Sequence, residues 1–259
     1  MNKTKGIILA GGNGSRLHPL TYGVSKQLLP VYDKPMIHYP VSLMLQADIR
    51  DILIIVSNEY YIPLFKKSLI KVSANISYIV QEAPLGLAQA FILGEEFIGD
   101  DNVCLMLGDN IFHGENFGNI LRQAKGMKNF IFGVKVKNPS DYGVMKFETT
   151  DAHNYLEYEK LVEVVEKPIE FVSVYAVPGI YFFDNCVAKK AKQVKPSYRG
   201  ELEIVDVINS YIQEDAMAFD FLDNTIWFDC GTHDHLLAAG NYVQAVQQRT
   251  TQIIGDVNI

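Results

Sequence analysis

A glycine-rich segment near the amino terminus is the strongest chemical signal in the sequence. Gly11, Gly12 and Gly14 come directly after the apolar run Gly6–Ala10, and Arg16 follows closely. Glycines let a backbone approach a ligand, and the N–H groups of such a turn, together with an arginine, can bind phosphate. A tight strand-to-helix turn would use the same glycines. The segment therefore predicts either a plain turn or a phosphate-binding loop.

Spacing excludes two common phosphate-binding motifs. A dinucleotide-binding fingerprint needs a third glycine where this chain has Leu17, and a P-loop needs Gly-Lys where the chain has Arg16. Ten residues beyond Arg16, Lys26 stands in the turn-like stretch Ser25–Pro30. A single lysine is usually a surface residue, but one in this turn could reach the anion bound by the glycine segment.

Two aspartates are candidates for binding a divalent cation. Asp109 follows the apolar run Val103–Leu107, and Asp229 follows Trp227-Phe228, 120 residues later. Mg²⁺ prefers carboxylate oxygens together with substrate phosphates. A carboxylate at the end of a strand can also cap a turn or a helix.

Two further segments carry charged or ligating side chains. Glu166-Lys167-Pro168 is either an ordinary exposed acid–base pair or part of a phosphate site, and Pro168 favours an extended backbone at Lys167. His233 and His235 could belong to a metal cluster, although the polar start of a helix accounts for them better. Neither segment defines a site without the fold around it.

The order of apolar runs predicts how these residues meet. Runs typical of strands buried on both faces lie at Gly6–Ala10, Ile52–Val56, Ile76–Val80 and Val103–Leu107. Helical patterns alternate with them at His38–Ala47, Tyr60–Leu69 and Leu87–Ile98. This alternation predicts a doubly wound α/β fold with a mostly parallel sheet. The glycine segment and Asp109 should then face one cleft at the carboxyl ends of the strands.

The pattern changes after residue 129. Strands of a mixed or antiparallel region are predicted at Phe130–Val136, Val144–Phe147, Leu161–Val165 and Tyr175–Phe183. Helices are predicted at Cys186–Val194, Leu202–Gln213 and Asp234–Arg249. Because no linker-like stretch interrupts the chain, we expect one domain, with a nucleotide-binding core at about 1–128 and a completing part at about 129–259.

Composition limits the class of protein. A net charge of −7 argues against a nucleic-acid-binding surface. The three cysteines include no CxxC pair, which argues against a disulfide framework or a zinc site and favours a reducing compartment. The amino terminus has neither a signal-peptide pattern nor a membrane span. We therefore expect a cytoplasmic protein without membrane or nucleic-acid partners.

The motifs named above belong to a series that covers nearly the whole chain in order. It comprises Gly11–Leu17, Ser25–Met36, Gly86–Phe91, Leu107–Phe112, Tyr142–Val144, Glu166–Pro168, Gly200–Ile204 and Gly231–Asp234. This series resembles the glucose-1-phosphate thymidylyltransferases, the first enzymes of dTDP-rhamnose synthesis. Several motifs in the right order are far more specific than one motif alone.

The resemblance implies a Rossmann-like nucleotidyltransferase fold that joins dTTP to glucose 1-phosphate with Mg²⁺, giving dTDP-glucose and pyrophosphate. It implies that Asp109 and Asp229 hold the metal and that Arg16, Lys26 and Lys167 are catalytic. The nucleotide contacts that it implies are Leu9, Gly11, Gly12, Gly14, Ser15, Arg16, Gln27, Gln81 and Gly86. The sugar contacts are Asn110, Tyr142, Gly143, Glu166, Lys167 and Val177. It also implies a homodimer or homotetramer.

Two positions depart from the family pattern. Pro178 and Cys230 stand where threonine is common in the family. Both changes spare the phosphate chemistry but leave UTP, or another sugar phosphate, as an alternative substrate. A non-catalytic nucleotide-sugar-binding protein is the other alternative. The resemblance is to a short form without the extra C-terminal helices that help to form a regulatory product site in longer relatives.

Overall fold

A ten-stranded mixed sheet organises the computed structural model, which describes residues 3–152 and 155–259. Strands in this part of the chain are β1 (Thr4–Ala10), β2 (Pro30–Val31), β3 (Lys34–Pro35), β4 (Asp51–Val56), β5 (Asn75–Val80), β6 (Asn102–Leu107), β7 (Asn110–Gly114), β8 (Phe130–Lys135), β9 (Gly143–Ala152), β10 (Tyr155–Glu166), β11 (Tyr175–Ala176), β12 (Ile180–Phe183), β13 (Ala218–Phe221) and β14 (Thr225–Asp229). Helices are α1 (His38–Gln46), α2 (Ile62–Ser68), α3 (Gln89–Leu93), α4 (Glu95–Ile98), α5 (Phe117–Gly126), α6 (Val187–Ala191), α7 (Ile204–Ile212) and α8 (His233–Arg249).

The first-half strands form the parallel centre of the sheet. Strand β1 lies between β4 and β6 and runs parallel to both, and β5 extends the sheet beyond β4. Leu9 is paired with both Ile55 and Leu107, and the N–H of Gly108 donates to the carbonyl of Leu9 at 2.9 Å. The glycine segment and the Asp109 loop therefore start from the same edge of the sheet, as predicted.

The second half continues the same sheet with antiparallel strands. The sheet order is β10-β9-β11-β8-β12-β6-β1-β4-β5, with β13 pairing parallel to β8. Strand β12 is antiparallel to β6, so the mixed region joins the parallel centre directly. The predicted α/β fold with a mixed, centrally parallel sheet is confirmed. The division of a single domain into a nucleotide-binding core and a completing part near residue 128 stays a prediction.

Both faces of the sheet are covered, as nearly continuous apolar strands require. Alternate β1 side chains point to opposite faces. Ile8 belongs to a core with α1 and α5, whereas Ile7 belongs to a core with α3, α6 and α7. Among the described residues, no helix has both the length and the apolar character that crossing a membrane requires.

Two predicted elements are divided in the structure. The helix expected at Leu87–Ile98 is broken at Gly94, where an added Cβ would lie 2.7 Å from Cδ1 of Ile7 in the sheet. The strand expected at Tyr175–Phe183 is broken into β11 and β12 around Pro178, whose ring removes a backbone donor. A glycine inside a helix weakens it, and a proline removes a backbone donor from a strand, so both breaks fall at residues that interrupt regular structure.

A two-stranded ribbon made by β7 and β14 was not predicted. Its register places Asp229 opposite Asn110 and Trp227 opposite Phe112. The ribbon connects the loop after β6 to a segment more than a hundred residues later in the chain. It is the element that brings Asp109 and Asp229 to the same place.

Candidate active site

A cleft of about 770 Å³ lies at the carboxyl ends of the parallel strands and extends over the second part of the chain. Sixteen of the predicted site residues line it: Leu9, Gly11, Gly12, Arg16, Lys26, Gln27, Gln81, Gly86, Asp109, Asn110, Tyr142, Gly143, Glu166, Lys167, Val177 and Asp229. Residues that were not predicted also line it, among them Leu107, Asp141, Gly179, Tyr181, Arg199, Glu201, Glu203 and Trp227. The residues predicted for catalysis and for the metal therefore share one cavity.

Gly14 and Ser15 are not part of this lining. Gly14 has a left-handed backbone with φ of 59°, and its carbonyl accepts hydrogen bonds from Leu17 N at 2.9 Å and Thr21 Oγ1 at 2.8 Å. Ser15 begins a short 3₁₀ turn that ends at the fully buried Leu17. These bonds fix the turn that carries Arg16 into the cleft. Direct nucleotide contacts by Gly14 and Ser15 remain predictions.

Close packing explains two of the other glycines. A Cβ on Gly11 would lie 2.3 Å from Oε1 of Gln81, whose Nε2 donates to Gln89 Oε1 at 2.7 Å. Gly86 has φ of 106°, and a Cβ there would lie 2.4 Å from the carbonyl oxygen of Leu202. Position 86 therefore requires glycine, because of its positive φ and the Leu202 backbone, whereas a side chain at position 11 would displace the amide of Gln81.

Lys26 is directed into the cleft, not to the surface. It begins a 3₁₀ turn in which Gln27 is buried and accepts a hydrogen bond from Ser25 Oγ at 2.7 Å. Nζ of Lys26 is paired with Oδ2 of Asp109. Its side chain is 16% exposed, which excludes the interpretation as an ordinary surface lysine.

Backbone contacts link the loops of the two predicted metal ligands. The N–H of Cys230 donates to the carbonyl of Asp109 at 2.9 Å, and the N–H of Gly231 donates to Oδ1 of Asp229 at 3.1 Å. A Cβ on Gly231 would lie 2.7 Å from Nη2 of Arg16 and 3.0 Å from Oδ1 of Asp229. Position 231 therefore has little room for a side chain, because Arg16 and Asp229 both approach it.

The carboxyl groups of the Asp109–Asp229 pair have opposite pKa shifts. Burial and the charge of Asp109 raise the pKa of Asp229, and Arg16 and Lys26 offset this only in part. Burial also opposes ionisation of Asp109, but the adjacent Lys26 ammonium and the Asn110 amide outweigh it and lower its pKa. Because the pKa of Asp229 is raised, a further cation beside the pair would favour ionisation of both carboxylates.

This pair fits a Mg²⁺ ion that arrives with phosphates. Mg²⁺ is usually bound by one or two carboxylates, with substrate phosphates and waters as the other ligands. Across the described residues, no group of three or more His, Cys, Asp or Glu side chains could hold a metal. The His233 and His235 alternative is not supported: Thr232 caps α8 by accepting from His235 N at 3.3 Å, and His235 Nδ1 lies 2.9 Å from the Asp229 carbonyl oxygen.

A second acidic group, which was not predicted from the sequence, surrounds Arg199 in the cleft. Arg199 Nη2 lies 2.9 Å from both carboxylate oxygens of Glu203, 3.0 Å from Oε1 of Glu166 and 3.5 Å from Oε2 of Glu201. We call these four residues the Arg199 cluster. Burial and the charge of Glu203 raise the pKa of Glu166, against the effects of Lys167 and Arg199. The motif at Gly200–Ile204 pointed to this segment but not to its ion pairs.

Lys167 has a conformation that was predicted wrongly. Its φ is 44°, not extended, and its N–H donates to the carbonyl of Tyr142 at 2.9 Å directly after β10 ends. This bend leaves the ammonium 3.8 Å from Oε1 of Glu166. The neighbouring N–H of Val177 donates to the carbonyl of Gly143 at 2.8 Å. These bonds join the predicted sugar-side residues into one wall.

Cys230 is a packing residue beside the Asp109–Asp229 pair. It is completely buried with Met36, Tyr39 and Ala239 in a small core under α8. Burial, together with the charges of the two aspartates, raises the pKa of its thiol. A buried neutral thiol is a poor nucleophile, so the chemistry of the cleft does not use it.

Similarity to known proteins agrees with this geometry. The Nucleotidyl transferase family profile matches residues 5–246. The glucose-1-phosphate thymidylyltransferase of Neisseria meningitidis serogroup A is 50% identical over 249 residues, covering 94% of this chain and 83% of that protein. The enzyme of the same name from Mycolicibacterium smegmatis is 46% identical over 256 residues, covering 97% and 86%.

A solved structure agrees as well. A Bacillus anthracis protein, assigned as a glucose-1-phosphate thymidylyltransferase and crystallised with sucrose, superimposes with a TM-score of 0.82. It is 36% identical, and the match covers 94% of this chain and 96% of that one. The resemblance drawn from the motifs is confirmed. The chain belongs to the nucleotidyl transferase family and groups within it with the glucose-1-phosphate thymidylyltransferases.

Proposed function

We propose that the protein transfers the thymidylyl group of dTTP to glucose 1-phosphate. An oxygen of the sugar phosphate attacks the α-phosphorus in line and forms a new P–O bond. The bond from the α-phosphorus to the bridging oxygen breaks, and pyrophosphate leaves with that electron pair. The products are dTDP-glucose and pyrophosphate. Support comes from Arg16, Lys26, Asp109, Lys167 and Asp229 lining one cleft, and from relatives of that name at up to 50% identity.

Charge neutralisation is the main task of this site. The two substrates carry roughly −4 and −2, and each pair of like unit charges at ~4 Å costs about 4 kcal/mol at an effective dielectric of 20. Arg16, Lys26 and Lys167 line the cleft, although the whole chain has a net charge of −7. Bound Mg²⁺, held by Asp109 and Asp229, would add two positive charges next to the phosphates.

The protein side chains divide this task by position. Arg16 and Lys26 lie on the glycine-segment side of the cleft, where the triphosphate would bind. Lys167 lies beside Glu166 on the opposite wall, where it would contact the sugar phosphate while Glu166 accepts from a sugar hydroxyl. Gln81 and Gly86 would contact the base. The proposal requires little reorganisation of Arg16, Lys26 and Lys167 when substrate binds, because these side chains already line the cleft.

UTP, or a different sugar 1-phosphate, is the alternative substrate. Base and sugar are recognised by few hydrogen bonds, so small changes can redirect specificity. Pro178 offers no backbone donor to the sugar wall, and its carbonyl accepts from Ile180 N at 2.7 Å. This wall therefore differs chemically from one that carries a threonine.

A substrate panel tests the proposal. Pyrophosphate release should be measured for dTTP, UTP, ATP, CTP and GTP, each with glucose 1-phosphate, galactose 1-phosphate and mannose 1-phosphate. We expect the highest kcat/KM for dTTP with glucose 1-phosphate, and none when Mg²⁺ is removed with a chelator. Turnover with UTP alone would replace the proposed nucleotide. No turnover with any pair would favour the non-catalytic nucleotide-sugar-binding protein.

Assembly and location are also proposals. Resemblance to the glucose-1-phosphate thymidylyltransferases supports a homodimer or homotetramer in the cytoplasm, where the product would feed dTDP-rhamnose synthesis. Light scattering of the purified protein would decide its oligomeric state. A mass equal to that of the single chain, 29.1 kDa, would contradict the proposed assembly.

A further inference from the structure

The side chain of Asn110 is held in one orientation. It is 3% exposed, and its Oδ1 accepts from the indole Nε1 of Trp227 at 2.7 Å and from Gly179 N at 3.1 Å. Its Nδ2 donates to Oδ1 of Asp109 at 3.1 Å. A flipped amide would place its NH₂ against two N–H donors. The two donors therefore fix which end of the amide faces Asp109.

This arrangement determines the geometry of Asp109. One carboxylate oxygen accepts from Asn110, and the other is paired with Lys26. A carboxylate held at both oxygens keeps one rotamer and one orientation. Partners that orient a metal ligand commonly change metal affinity or activity by about 10–100-fold when they are removed.

Trp227 is itself rigidly placed. It lies in β14 opposite Phe112 of β7, with the rings stacked at a centroid distance of 6.4 Å and an interplanar angle of 15°. Its other neighbour is Tyr142, at a centroid distance of 5.0 Å. Asp229 follows two residues later in β14, so the two side chains point to the same face of the strand. The indole therefore belongs to the element that also positions Asp229.

We propose that Trp227 is a positioning residue for the metal pair. Its indole N–H acts through Asn110 to hold Asp109 in the orientation that binds Mg²⁺ together with the nucleotide. This inference rests on the proposed nucleotidyl transfer and deepens it. It also changes the role expected for Asn110: the amide that was assigned to the sugar is already bonded to Asp109.

Kinetics of Trp227→Phe provide the first test. Phenylalanine keeps an aromatic ring in the stack but lacks the N–H. We expect the Mg²⁺ concentration for half-maximal rate to rise about 10-fold, with a smaller change in the KM for dTTP. The matched control is Phe228→Leu, which removes an aromatic ring from the same strand but outside the cleft lining and should leave the Mg²⁺ dependence unchanged.

A double-mutant cycle separates positioning from packing. If Trp227 acts through Asn110, the variant that combines Trp227→Phe and Asn110→Ala should need no more Mg²⁺ than Asn110→Ala alone. Additive effects of the two substitutions would mean that the indole acts by packing, and would overturn the inference. A Mg²⁺ dependence of Trp227→Phe equal to the parent would overturn it as well.

A metal-free measurement tests the hydrogen bond itself. Trp227 is the only tryptophan of the chain, so ¹⁵N-labelled protein gives a single indole N–H signal in solution NMR. We expect this signal to move upfield in Asn110→Ala, because the indole loses its acceptor, and to keep its position in Phe228→Leu. An unchanged signal in Asn110→Ala would overturn the inference. A parent protein with this bond but no turnover on the substrate panel would overturn the proposed function instead.

Discussion

The cleft contains two acidic groups that are neutralised in different ways. In the Arg199 cluster, one guanidinium contacts three carboxylates, those of Glu166, Glu201 and Glu203. In the Asp109–Asp229 pair, Lys26 contacts Asp109, and Asp229 has a raised pKa from burial and from the charge of its neighbour. Every carboxylate of the first group contacts the guanidinium, whereas in the second group Lys26 contacts Asp109 and the described residues form no salt bridge to Asp229.

This difference indicates what each group is built to do. A fixed arginine fork holds carboxylates as hydrogen-bond acceptors at constant geometry. A pair of aspartates in which one carboxylate has no salt bridge suits a cation that arrives with the substrate, which is the role proposed for this pair. We therefore expect that removing a charge from the aspartate pair lowers turnover. Removing the charge of Arg199 should instead alter sugar-phosphate binding, its pH dependence and the stability of the protein.

The largest effect is expected for Asp109→Asn, which keeps the shape of the side chain but removes its charge. The proposed Mg²⁺ contact and the pairing with Lys26 are both weakened. We expect kcat to fall on the order of 10²–10³-fold, by comparison with the loss of one transition-state contact. Steady-state rates at saturating Mg²⁺ and dTTP would measure this. A folded variant with turnover within a few-fold of the parent would remove Asp109 from the metal site.

The next effect is expected for Gly231→Ala. The new methyl group would lie 2.7 Å from Nη2 of Arg16 and 3.0 Å from Oδ1 of Asp229, so the guanidinium must move. Displacement by about 1 Å can cost up to roughly 10²-fold in rate. We expect kcat/KM for dTTP to fall between about 10-fold and 10²-fold. Unchanged kinetics would show that Arg16 does not need its observed position.

A smaller change in rate is expected for Arg199→Met. Removing the Arg199 guanidinium leaves Glu166 and Glu203 without their shared cation. The free energy of unfolding should fall by roughly 1–3 kcal/mol, between the values typical of breaking an exposed and a buried ion pair. Urea denaturation at pH 7 measures this loss. The KM for glucose 1-phosphate should rise more than kcat falls, because the cluster holds the sugar-side wall.

The pH dependence of Arg199→Met has a definite sign. Arg199 lowers the pKa of Glu166, which burial and Glu203 already raise, so its removal raises that pKa further. The acid limb of kcat/KM for glucose 1-phosphate should therefore move to higher pH. The control Arg199→Lys keeps a positive charge and should show a smaller shift. An acid limb that stays in place would separate Glu166 from sugar binding.

The smallest effect is expected for Gly240→Ala, which is also the control for Gly231→Ala. Gly240 lies inside α8, and its added Cβ would meet only Tyr32 N, at an ordinary 3.6 Å. Replacing a helical glycine by alanine stabilises by about 0.5–1 kcal/mol. Thermal unfolding should show this gain while kcat stays unchanged. A loss of activity would mean that α8 itself transmits strain to the site.

The sequence predicted the parallel centre of the fold well, because strands buried on both faces are continuous apolar runs that are visible in the local sequence. It did not predict β7, since Asn110–Gly114 pairs only with Thr225–Asp229 and has no local strand pattern. It also missed the break at Gly94, a position where an added Cβ would lie 2.7 Å from Cδ1 of Ile7 in the sheet. Pairing and close packing over long sequence separations are outside the reach of local patterns.

The candidate site was predicted in the same uneven way. Family motifs pointed to Arg16, Lys26 and Asp109, which the structure places along one cleft. Arg199 was missed because it lies just outside the motif Gly200–Ile204 and because its partner Glu166 lies 33 residues earlier in the chain. The orientation of Asn110 was also missed, because it depends on two donors from distant segments, Trp227 in β14 and Gly179 between β11 and β12.

The ribbon of β7 and β14 has a consequence for biosynthesis. The glycine loop, Lys26 and Asp109 leave the ribosome well before Asp229, which follows Asp109 by 120 residues. Until β14 pairs with β7, the Cys230–Asp109 backbone bond cannot form and the acidic pair is incomplete. If Asp109 and Asp229 bind the metal as proposed, a nascent chain that already contains the glycine segment cannot yet transfer a nucleotide. Activity would then begin only when the late strand closes this long loop.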